Sequence, residues 1–190
     1  MKNRLATLVI AMSCSFAASA MAMSKAEYKA EKERISADYK GNKKKCNDLK
    51  SNAKDICVSQ AKGMEKVAKA EAEAAYEPSA KHTEKVALAK GDAAYDTAKE
   101  KCDDFSGNAK DVCVKDAKAA HVKAKEDAKL SKVAKDTSVD KNAKMADAKK
   151  DASKEIREAD YKAAKERCDS LAGAPKENCV KDAKVKYGMK

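Results

Sequence analysis

Six of the seven cysteines fall into three pairs with one spacing: Cys46 and Cys57, Cys102 and Cys113, Cys168 and Cys179. Paired thiols can bind metal, shuttle electrons or form structural bridges. Ten intervening residues do not fit short-spaced metal pairs such as C-x2-C. Nor is there a C-x-x-C redox motif. Each pair has the same surroundings. A tyrosine lies seven residues before the first cysteine (Tyr39, Tyr95, Tyr161), and a large apolar residue lies three after it (Leu49, Phe105, Leu171). The unit reads as a helical hairpin stapled near its turn by a disulfide within each copy. A thiol redox-responsive first hairpin is a further alternative, because Lys43, Lys44 and Lys45 would lower the pKa of a free Cys46.

Other reactive side chains do not assemble into a motif. His82 and His121 occupy unrelated positions of different copies. No nucleophile, base and orienting group recur together, and no Gly-rich phosphate loop is present. The expectation is a protein without catalysis, cofactor or metal.

Position in the cell follows from the start of the chain. Lys2 and Arg4 precede an apolar stretch, Leu5 to Ala18, and Ala20-Met21-Ala22 offers small residues for cleavage. Residues 1–22 read as a signal peptide, with the mature chain beginning at Met23. The apolar stretch is shorter than the roughly 20 residues a membrane span needs. After cleavage no transmembrane segment is expected. Cys14 leaves with the signal. Ala11-Met12-Ser13 before it lacks the usual leucine of a lipoprotein site. An even set of cysteines remains for an oxidising compartment, here the periplasm.

The elements that position the cysteines are helices. Ala, Lys and Glu dominate, all strong helix formers, whereas Pro occurs only twice and Gly six times. Large apolar residues are sparse, so thin Ala-lined helix contacts must replace a broad core and need help from cross-links. Tyr28, Ile35, Tyr39 and Cys46 form one stripe of a first helix, with Ser24 and Glu27 as its starting cap. Asn52 and Asn108 stand where the caps of the second and fourth helices belong. Pro175 stands where the sixth begins, and Gly107 and Gly173 suit the left-handed end of the preceding helix. In this reading the first cysteine lies about one turn before its helix ends, and the second just over one turn into the next. Tyr39 should face Met64, Tyr95 should face Ala120 and His121, and Tyr161 should face Tyr187. Breaks are expected at Glu77-Pro78-Ser79 and at Asp136–Asp140. The expected fold is all-α: three disulfide-stapled antiparallel hairpins, 23–77, 78–136 and 137–190, of about six helices, forming an elongated bundle or a loosely linked string.

The stretches Asp160–Asp169 and Gly107–Lys115 resemble exported, Ala/Lys-rich proteins of Gram-negative bacteria, often labelled TolA-like or cell envelope biogenesis proteins. The Tyr-x6-Cys-x10-Cys unit is the motif that carries this resemblance. It implies an envelope location but brings no functional residues with it. The chain does not show the membrane anchor or the globular C-terminal domain of TolA, so that protein's force-transducing role is not implied.

Two functional readings stay open. One is a structural or protein-interaction role at the cell envelope, with an envelope protein as partner. The other is a cationic protein for anionic envelope components, lipopolysaccharide or phospholipid. The formal charge is +11, and Lys43, Lys44, Lys45 and Lys50 form the densest basic run for such contact. Nucleic acid is disfavoured by the export signal, the interleaved glutamates and the absence of aromatic stacking platforms.

Overall fold

The computed structural model describes residues 22–190. The expected signal peptide falls outside them apart from Ala22, and Cys14 lies outside as well. Six α-helices follow one another: α1 Lys25–Lys45, α2 Ser51–Tyr76, α3 Ala80–Cys102, α4 Gly107–Ala134, α5 Lys141–Cys168 and α6 Gly173–Tyr187. One 3-10 turn, Cys46–Asp48, extends the end of α1. Each helix packs only on its neighbours in the chain, so the described residues form one continuous antiparallel row. The unstapled contacts of α2 with α3 and α4 with α5 are the most extensive. The hairpins are therefore joined side by side rather than strung loosely.

Local chemistry sets the helix ends. Ser24 and Glu27 form a reciprocal capping box at the start of α1, which satisfies two otherwise free N–H groups. Pro78 interrupts the chain between α2 and α3. Ser79 then caps α3 by accepting the His82 backbone N–H at 3.1 Å. The Asp136–Asp140 connector separates α4 and α5 as expected.

The core is a seam of small side chains. Ala61, Ala70, Ala72, Ala89, Ala119, Ala128, Ala152, Ala159, Ala163 and Ala183 are buried. Ile35 is the one large aliphatic side chain buried among the described residues. An alanine methyl contributes under about 1 kcal/mol on burial. Small side chains do allow close approach. A methyl placed at Gly63 would lie 2.8 Å from the Ala93 Cβ, and one at Gly91 would lie 3.0 Å from the Ala124 Cβ. These two glycines set the spacing of α2 on α3 and of α3 on α4.

Three positions differ from the sequence reading, each for a local reason. The first cysteine ends its helix, as in α3 and α5, or directly follows it, as Cys46 does after α1. The second is the seventh residue of the next helix. The turn thus restarts about half a helical turn earlier than expected. Gly107 and Gly173 do adopt the left-handed conformation, at φ 55° and 58°, but as the first residues of α4 and α6. Ser51 takes the same conformation in the first copy, at φ 49°. Pro175 is consequently the third residue of α6, where its missing N–H is still harmless because the first four have no intrahelical partner.

Candidate interaction surface

Each disulfide closes one hairpin turn: Cys46–Cys57, Cys102–Cys113 and Cys168–Cys179, with Cα separations of 5.5, 5.6 and 5.7 Å. These separations lie in the unstrained range. Because the helices alternate in direction, all three stapled turns lie at one end of the row. Cys46, Cys102 and Cys168 are fully buried, so each bridge forms an inner floor beneath its turn.

The turns are also tied to one another by a device the sequence reading had assigned otherwise. Asn52 and Asn108 are not helix caps. Lys50 and Ser106 hold the N-cap positions and offer no side-chain bond. The Asn52 Nδ2 instead donates to the Glu100 carbonyl and to Asp104 Oδ1, both at 2.8 Å. The Asn108 Nδ2 donates to the Glu166 carbonyl at 3.1 Å. Each asparagine thus satisfies a last-turn carbonyl of the following hairpin. Each of these carbonyls already accepts the N–H of its helix's C-cap residue, Asp103 or Asp169, at 3.1 Å, and the asparagine adds a second donor to it. Ala174 holds this position in the third copy, where no further hairpin follows. The replacement of Asn by Ala in the last copy was the available signal. The Arg167–Asp116 ion pair links the second and third hairpins close by.

Surface charge differs among the three turns. In the second and third, a lysine pairs with the aspartate seven residues before it: Lys110 with Asp103 at 2.8 Å, and Lys176 with Asp169 at 2.9 Å. In the first copy the acid is replaced by Asn47, which leaves Lys54 without that partner. Residues 43–55 hold five lysines against two aspartates. The matching segment 99–111 holds three lysines against four acids, and 165–177 holds three basic groups against three acids. Lys43 sits over the Tyr39 ring at 5.9 Å. Lys44, Lys45 and Lys50 are exposed and make no ion pair among the described residues. Leu49, Phe105 and Leu171, the apolar residue of each copy, remain 41, 53 and 42% exposed.

A polar cluster lies farther along the row, across α2, α3 and α4. His121 Nε2 meets Asp92 Oδ1 at 2.7 Å, and Lys66 donates to Asp92 Oδ2 at 2.6 Å. Burial pushes the Asp92 carboxyl up, but hydrogen bonds from Lys66 and His121 outweigh this and hold it below its ordinary value. His121 also stacks on Tyr95, with centroids 4.6 Å apart, in line with the expected facing of the two. No hydroxyl or thiol bonds to its ring, and Nδ1 is buried without a partner. The cluster pins three helices together in a seam otherwise made of alanine. Its partners sit 26 and 29 residues apart on different helices, so no sequence spacing announced it.

Tyr39 and Met64 line one shallow groove between α1 and α2, also as expected. The stacked aromatic pairs of the described residues are Tyr28 with Tyr76 and Tyr95 with His121. Tyr161 and Tyr187 do not form a third. Met64 borders a second open groove, of about 450 Å³, with Gly63, Val67 and Ala93. Among the described residues no group of three or more His, Cys, Asp or Glu side chains gathers as metal ligands. No helix among them is long and apolar enough to cross a membrane.

Comparison with protein-family models, with curated proteins and with solved structures finds no match to this chain.

Proposed function

We propose that this is an exported, non-enzymatic protein of the periplasm whose role at the cell envelope is structural or protein-interactive. The observation that carries the reading is the use of every cysteine in the described residues in a bridge within its own turn. Such bridges form and persist in oxidising compartments. The apolar N-terminal stretch read as a cleaved signal agrees with it. So does the likeness to exported Ala/Lys-rich envelope proteins. The Ala-lined antiparallel row supplies an extended helical surface built with little hydrophobic material, which suits a scaffold or docking element.

Fractionation of cells producing the tagged chain, with thiol counting and in-cell cross-linking, tests the reading. The expected result is recovery from the periplasmic fraction, a mature start at Met23, no free thiol, and cross-links to a defined envelope component. Retention in the cytoplasm with the six paired cysteines reduced would sink it.

A further inference from the structure

The stapled end combines three features: an apolar side chain at every turn, asparagine links between neighbouring turns, and an excess of lysine on the first. All three turns project one large apolar side chain, Leu49, Phe105 or Leu171, and leave it about half exposed. The asparagine links hold neighbouring turns against each other, so these side chains are presented together. Positive charge is concentrated on the first turn alone, where Lys44, Lys45, Lys50 and Lys54 lack the acidic partners that balance the second and third. Part of this excess serves the helix, because lysines in the last turn of α1 favour its dipole. That role does not account for Lys50 or for Lys54 in the next helix.

We propose that this end docks on an anionic lipid bilayer, resting on the envelope reading above and naming its partner. Lys44, Lys45, Lys50 and Lys54 meet lipid phosphates, and Leu49, Phe105 and Leu171 enter the headgroup layer. Charge complementarity selects an anionic surface, and the apolar row selects one with an acyl interior behind it. A nucleic acid would need stacking platforms, and this end offers one aromatic ring, Phe105. The contact is peripheral, because the shallow apolar row buries little area and long-range attraction supplies much of the binding.

Co-sedimentation of the purified, disulfide-intact protein with vesicles tests the proposal. Vesicles of phosphatidylglycerol and phosphatidylethanolamine should bind it, with binding falling as salt rises, and phosphatidylcholine vesicles should not. The variant Lys44→Gln/Lys45→Gln/Lys50→Gln should lower partitioning about 100-fold, from roughly five-fold per lysine near an anionic surface. The variant Leu49→Ser/Phe105→Ser/Leu171→Ser should lower it about 10-fold or more at fixed salt. Circular dichroism and thiol counting establish that each variant keeps its helices and bridges. Should the triple serine variant fail that check, Phe105→Ser alone carries the test with a several-fold loss. Unchanged binding of the serine variant, equal binding to phosphatidylcholine, or capture by an acidic envelope protein without vesicle binding would each overturn the proposal. None of these results touches the envelope reading, which stands or falls on fractionation and thiol state.

Discussion

Gly63 shows how much a single missing methyl can decide in an alanine seam. Replacing glycine with alanine inside a helix usually gains about 1 kcal/mol through propensity. Overpacking typically costs about 1–3 kcal/mol. The 2.8 Å approach to the Ala93 Cβ leaves no flexible neighbour to yield, so the cost wins. Gly63→Ala should lower stability by about 1 kcal/mol in a denaturant titration. Gly91→Ala, at 3.0 Å from Ala124, should lose less or be neutral. A stabilised Gly63→Ala protein would show that α2 and α3 are not held at this spacing. Ser51 illustrates the opposite economy: a left-handed φ that Gly107 and Gly173 adopt freely is imposed there on a residue with a Cβ, at a cost of roughly 1 kcal/mol.

At the scale of elements, two kinds of fastening divide the work. The disulfides close turns within a hairpin, each worth roughly 3 kcal/mol in the chain-entropy model. The asparagines fasten one hairpin to the next. Removing such a hydrogen bond costs about 1 kcal/mol, because the receiving carbonyl keeps its C-cap N–H donor. Asn108→Ala should therefore lower stability by about 1 kcal/mol. It should also speed amide exchange at the α4–α5 seam while leaving exchange in α1 and α2 unchanged. Exchange that rises evenly over all six helices would contradict this local role. Ala174, the third copy's counterpart, should tolerate Asn with no comparable gain, because α6 has no following hairpin to receive the bond.

At the scale of the whole molecule, ion pairs lace α2 through α5, including Lys85–Glu73, Lys66–Asp92, Lys132–Glu84 and Arg167–Asp116. Exposed pairs of this kind contribute only about 0–1 kcal/mol each, but they act in one direction with pH. The Glu73 carboxyl is held low first by its hydrogen bond from Lys85. Asp92 is held low despite its burial. Hydrogen bonds from Lys144 and then Ser138 lower Asp136 to about 2. A carboxyl depressed in the folded state stabilises at pH values above its unfolded pKa, and that contribution is lost as pH falls through the folded value. The ordinary values here are 4.5 for Glu73 and 3.8 for the two aspartates. The melting temperature should accordingly hold from pH 7 to about 5 and then decline toward pH 2. A melting temperature that rises on acidification in thermal circular dichroism would exclude a stabilising role for these carboxylates.

The sequence by itself determined the thiol pairing, the number of helices, the breaks at Pro78 and after Ala134, and the alanine character of the contacts. All of these are local: a bridge spans eleven residues, and cap and break signals act within one helical turn. Tertiary structure alone decided that the hairpins fuse into a row, that Asn52 and Asn108 fasten neighbouring turns, and that Asp92, His121 and Lys66 meet. Those partners lie 26 to 58 residues apart on separate helices. Small side chains carry no periodic hydrophobic signal strong enough to fix which faces come together.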